Sequence, residues 1–174
     1  MIVIKMHKNE DGFTLLEIIA VLVIVGILSA IAVNRALNVG PELITGADTL
    51  KMHLRYAQTL AMNSNPNSGT STYWGISGNA NSYWLFQGID PANAANYKPL
   101  PEDSTYVNAD KTINLARKKI RLGGNFTVIF DNRGIPYDAN LTALNANLIL
   151  TVNPASGGAT PITINIIPLT GYVQ

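Results

Sequence analysis

The spacing of apolar residues changes character twice along the 174-residue chain. Residues 13–33 read FTLLEIIAVLVIVGILSAIAV, a run whose clearly polar members are Thr14, Glu17 and Ser29. Wound as a helix it is about 31 Å long, the thickness of a bilayer's hydrocarbon core. Further on, Leu43, Ala47, Leu50, Leu54, Ala57 and Ala61 recur at spacings of 4, 3, 4, 3 and 4. That period predicts an amphipathic helix with one narrow apolar face, opposite Glu42, Asp48, Lys51, Arg55 and Gln58. Gly40-Pro41 between the two segments predicts a kink or a short break, because proline removes a donor and clashes with the preceding turn. The second helix should stop near Asn63, where Asn-Ser-Asn-Pro-Asn-Ser-Gly begins.

From Thr70 onward the period falls to two, the spacing of half-buried strands. Strands are predicted over residues 71–77 and 82–87, joined by a hairpin at Gly78-Asn79-Ala80-Asn81, and over 111–115, 119–122, 125–130, 146–152 and 162–167. Residues 88–110, with Pro91, Pro99 and Pro101, read as loop, and Asp131-Asn132-Arg133-Gly134 as a turn. The fold class is therefore α+β. A long N-terminal helix over 13–62, membrane-spanning over 13–33, packs by its C-terminal half on a β-rich head over 63–174, with about six or seven antiparallel strands. Residues 1–12 stand apart as a short leader.

Composition sharpens this picture. Charged residues make up 13% of the chain and apolar types 47%, much of it in one stretch, as in a membrane-anchored protein. A net charge of +1 points to neither a nucleic-acid binder nor an acidic-ligand binder. Without cysteine there is no disulfide framework and no thiolate chemistry. Lys5 and Lys8 before the apolar run favour a cytoplasmic N-terminus, although Glu10 and Asp11 lie closer to it and Arg35 lies beyond it.

Three readings of the N-terminal segment compete: a plain anchor, a secretory signal cut near Ala30-Ile31-Ala32, and a leader cut between Gly12 and Phe13. Glu17 discriminates among them. A carboxylate inside an apolar run costs roughly 2.5–3.5 kcal/mol on insertion, and neither a signal core nor a simple anchor gains from it. A cut after Gly12 frees an α-amino group on Phe13, which is positive near neutral pH because such groups titrate near about pH 8. Glu17 of one copy can then pair with that amine on a neighbour, and an unpaired charge in a low-dielectric bundle penalises wrong register. Gly26 with Ala30, and Ala32 with Ala36, would let such helices approach closely.

Gly12-Phe13-Thr14-Leu15-Leu16-Glu17 followed by the apolar run closely resembles the processing site of type IV prepilins and type II secretion pseudopilins. The resemblance implies cleavage after Gly12 by a prepilin peptidase, N-methylation of Phe13 and an intersubunit role for Glu17. It implies other pilin subunits, an inner-membrane assembly platform and membrane lipid as partners, with the head in the periplasm and later in a filament. Asn34 stands where many members carry a proline, so where that family's helix bends does not transfer. The head is similar to GspH/FimT-type minor pseudopilins through residues 54–62 (LRYAQTLAM), 130–136 (FDNRGIP) and 164–173 (INIIPLTGYV). Minor pilins of the mannose-sensitive haemagglutinin type are similar at the same C-terminal end.

No catalytic residues, metal site or cofactor is expected. Once the leader is lost, His53 is the only histidine, expected on the helix surface, too little for zinc or serine-hydrolase chemistry. Glu102, Asp103 and Asp110 lack the spacing of a calcium loop and read as solvated charge. Arg117, Lys118, Lys119 and Arg121 form the one basic cluster. They read as a solvated strand edge or, alternatively, as the phosphate-contacting patch of a DNA-uptake minor pilin. The basic C-terminal motif of that subgroup is missing, since Gly171 is followed by Tyr172, Val173 and Gln174. Trp74 and Trp84 suit either core packing or a glycan-binding face.

Overall fold

A computed structural model describes residues 14–37, 40–156 and 159–174. The chain divides into two compact units, Met1–Asn38 and Val39–Gln174. The first holds one helix, α1 (Leu15–Leu37). Its described side chains, residues 15–29, are all exposed. Among the described residues no helix is long and apolar enough to cross a membrane.

The second unit opens with α2 (Pro41–Met62), which has Pro41 in its first turn, Gly40 at its N-cap and Asn63 at its C-cap. Proline fits there because the first-turn N–H groups have no helical partner. α2 starts at Pro41, so a helix begins where Gly40-Pro41 predicts a break. All six residues of the predicted apolar stripe are 1% exposed or less.

Nine short strands follow among the described residues: β1 (Trp74–Gly78), β2 (Ser82–Gln87), β3 (Tyr97–Lys98), β4 (Ile113–Asn114), β5 (Ile120–Leu122), β6 (Phe126–Phe130), β7 (Pro136–Tyr137), β8 (Leu148–Pro154) and β9 (Ile162–Ile166). They form two antiparallel sheets, one ordered β3-β2-β1-β6-β7 with β4 also on β2, the other β5-β8-β9. α2 lies across β1 and β6 of the first sheet and β5, β8 and β9 of the second, so one core serves both. The fold is α+β, a helix on antiparallel sheet, as the periods predict.

Two strand starts differ from the sequence reading for one physical reason. Lys111 and Lys119 take left-handed backbone conformations, with φ of 69° and 57°, which end the extended run and delay β4 and β5. β3 falls inside the stretch read as loop, and residues 69–72 form a 3₁₀ turn that moves β1's start to Trp74. Gly75 admits a close neighbour: a Cβ there would meet Phe86 Cζ at 2.6 Å and the Val128 carbonyl at 2.5 Å.

Candidate functional site

The first described turn of α1 places Glu17 by hydrogen bonding. The Thr14 hydroxyl accepts from the Glu17 N–H at 3.2 Å. The Thr14 carbonyl accepts from the N–H groups of Glu17 and Ile18 at 3.0 and 3.2 Å. Thr14 is thus the N-cap and Glu17 the third helical residue, the Thr-x-x-Glu relation of a capping box. A carboxylate in the first turn also complements the positive end of the helix dipole. The role of Thr14 escaped the sequence reading, although Thr-x-x-Glu before an apolar run is its signal. Leu15 and Leu16 are 76% and 78% exposed, and Val21 and Ile24, on the other side of the helix, are 52% and 57% exposed. A helix apolar on every side needs lipid or other helices to cover it. Gly12, Phe13 and the leader lie outside the described residues, as do the side chains of Ala30, Ala32 and Ala36.

The basic cluster is dispersed rather than pooled. Arg117 donates to the Thr105 carbonyl at 3.0 Å. Lys118 Nζ lies 2.7 Å from Glu102 Oε2 and 4.1 Å above the Tyr106 ring, with the two charged side chains only 9% and 11% exposed. Lys119 pairs with Glu42 at 3.2 Å, on the surface. Arg121, exposed on β5, has no ion pair among the described residues. Three of the four cations therefore already hold a partner within the chain.

Two sequence expectations are corrected beside this cluster. Glu102 is not solvated loop charge, because Lys118 pairs with it in a nearly closed site. His53 is not on the helix surface. It is 0% exposed, and its Nδ1 lies 2.8 Å from the hydroxyl of buried Tyr83. Nε2 faces the Pro101 carbonyl at 3.4 Å. A carbonyl can only accept, so the ring carries its proton on Nε2 while Nδ1 accepts from Tyr83. Burial lowers the His53 pKa and outweighs the opposing Pro101 bond and Glu102 charge; Lys118 lowers it further. Asp103 and Asp110 are exposed, and each accepts from backbone N–H groups of its own loop, at Thr105 and Thr112.

The three stretches that carry the head's resemblance meet in space. Arg55 of α2 donates to the Val173 carbonyl at 2.8 Å. Gln58 donates to the Gly134 and Thr170 carbonyls at 2.9 and 2.8 Å. Buried Asp131 accepts from the backbone N–H groups of Arg133 and Ile135, from the Arg133 guanidinium and from the Tyr137 hydroxyl, which holds the turn presenting Gly134. Gly171, with φ of 63°, fits against this junction, where a Cβ would come 2.5 Å from the Gly134 carbonyl. The two tryptophans part company: Trp74 packs against the core and donates to Ser64 at 2.9 Å, whereas Trp84 stacks on Tyr97 and donates to the Pro91 carbonyl. Among the described residues no group of histidines and carboxylates is arranged to hold a metal ion.

A family model described as the prokaryotic N-terminal methylation motif matches residues 7–33. No curated protein and no solved structure matches the chain. The motif supports a type IV pilin or pseudopilin-like chain. It implies processing by a prepilin peptidase, assembly with other pilin subunits and a membrane-anchored, pilus-related location.

Proposed function

We propose that this chain is a structural, non-enzymatic subunit: a minor pilin or pseudopilin of a type IV pilus or type II secretion pseudopilus. The observation that carries the reading is the start of α1, where a capped turn bearing Glu17 opens into a helix exposed and apolar on all sides. Such a surface is stable only against lipid or neighbouring helices. In this reading residues 13–33 anchor the chain in the inner membrane with the head outside the cytoplasm, until the helix passes from lipid into the filament core.

Cleavage after Gly12 leaves N-methyl-Phe13 with a positive amine next to the capped turn. Glu17 of one subunit meets the amine of its neighbour, and a subunit out of register leaves both charges unpaired in a low-dielectric bundle. The GspH/FimT-type minor class is supported by the way residues 54–62, 130–136 and 164–173, remote in sequence, lock one junction of the head. The internal partners of Arg117, Lys118 and Lys119 favour this structural reading over DNA binding.

The test is the N-terminal mass of the protein from native membranes, with and without active prepilin peptidase. A peptidase-dependent chain starting at N-methyl-Phe13 is expected. A chain that keeps Met1 regardless of the peptidase overturns the proposal.

A further inference from the structure

One strand residue singled out by the sequence, Trp84, is not used by the function proposed above. Ile76, Leu85 and Val128 belong to the core, so their strand neighbours Ser77, Trp84 and Thr127 face the opposite side of the first sheet. On that side lies an open groove of about 460 Å³, lined by Ser77, Asn79, Trp84, Asn125, Phe126 and Thr127 among others. Its volume falls within the roughly 300–1,000 Å³ of small-molecule sites.

The lining holds neither a cation to attract an anion nor a carboxylate to hold a metal or an amine. It combines an aromatic ring with neutral donors and acceptors. The ring is held in place before any ligand arrives, since Trp84 stacks on Tyr97 with centroids 5.4 Å apart and its Nε1 donates to the Pro91 carbonyl at 2.9 Å. With its one donor engaged, the indole offers a ligand only π surface and edge. Asn79 Oδ1 is taken up by the N–H groups of Asn81 and Ser82, at 2.9 and 3.0 Å, which leaves its amide NH₂ group as the free end. Asn125 is exposed, and its side chain has no hydrogen bond among the described residues. The Ser77 and Thr127 hydroxyls bond each other at 2.8 Å between these groups.

A ligand matching this set must be uncharged, with C–H surface on one face and hydroxyls around its rim. That is the description of a pyranose ring, whose C–H face complements the negative face of an aromatic system. We propose that this groove binds a neutral carbohydrate, with a sugar face against Trp84 and its hydroxyls on the Asn79 and Asn125 amides and the Ser77–Thr127 pair. The groove is open and preorganised, so a one- or two-ring ligand binds with a Kd on the order of 1 mM.

The test uses the full chain in a zwitterionic detergent with no sugar headgroup. Cellobiose, maltose and N,N′-diacetylchitobiose are each titrated to about 20 mM, well above the affinity anticipated for so small a ligand. Saturation-transfer NMR reads the sugar C–H protons, and the indole N–H resonance of Trp84 reads the protein. At least one sugar is expected to saturate and to shift the Trp84 signal more than that of Trp74. Asn125→Ala, an exposed truncation that leaves the sheet intact, should weaken binding about fivefold, the worth of one hydrogen bond. Trp84→Leu should abolish it. Absence of saturable transfer from all three sugars overturns the proposal, and so does binding that Asn125→Ala leaves unchanged.

Discussion

Lowering the pH from 8 towards 5 should destabilise the head through His53. The ring sits fully buried and neutral, with both nitrogens engaged, and faces Tyr83, Pro101, Glu102 and Lys118. Its ordinary pKa is 6.5, and burial lowers it in the folded chain. Below pH 6.5 the unfolded chain takes up a proton that the folded chain refuses, so stability is full above that pH and declines as the pH falls towards the lowered value. The slope is at most about 1.4 kcal/mol per pH unit. For a head of this size that is up to about 5 °C in Tm over the first unit. The carboxylates held low by hydrogen bonds, those of Glu42, Asp103 and Asp110, keep their contribution until the ordinary carboxylate range near about pH 4, so the two limbs separate. His53→Gln can accept from Tyr83 and donate to Pro101 but cannot titrate. The assay is thermal unfolding of the full chain in detergent between pH 5 and 8, followed by tryptophan fluorescence, since both tryptophans lie in the head. Wild type should lose Tm below pH 6.5 while His53→Gln stays level. Equal slopes for the two proteins would refute the reasoning.

Lys118→Met should cost about 3 kcal/mol, because it strands Glu102 in a site with little solvent, whereas Lys118→Met with Glu102→Leu should recover much of the loss; urea midpoints of the single and double variants decide this. Gly171→Ala should destabilise by about 1–3 kcal/mol through its left-handed φ and the approach to the Gly134 carbonyl, and it should expose the amides of the C-terminal segment to hydrogen exchange. Glu17→Ala should leave leader cleavage largely intact and block entry into filaments, while Thr14→Ala loses an N-cap worth about 1 kcal/mol and weakens entry partially. Immunoblots of sheared filaments against membranes read both, and filament entry by Glu17→Ala at the wild-type level contradicts the register check.

The local periods were legible and the long-range pairings were not. α2's stripe was readable because a single face buries at a fixed spacing, and each of its six residues proved buried. His53 lies on that same face, three residues after Leu50 and four before Ala57. Its spacing was the better guide and its polarity the misleading one. The division of the strands into two sheets depends on which edges meet after collapse, and no local period encodes that. Glu102 looked solvated because its partner lies 16 positions away, across a loop and a strand, at Lys118. The start of α1 was legible as charge chemistry, but the hydroxyl that caps it was overlooked. Arg55 and Gln58 read as the polar face of a helix, and only the folded chain shows them gripping three carbonyls.

That grip has a consequence for how the head can change over generations. α2 holds the C-terminal hairpin through the carbonyls of Thr170 and Val173, and every residue type supplies a carbonyl. Leu169 and Tyr172 project outward beside them, 74% and 58% exposed. The mount is therefore indifferent to most of the side chains it carries, Gly171, the buried Val173 and Leu169 with its left-handed φ of 65° excepted. Mutation can redecorate this corner of the surface while its backbone stays where it is. The same indifference makes the position of Tyr172 a place to graft an epitope or a label.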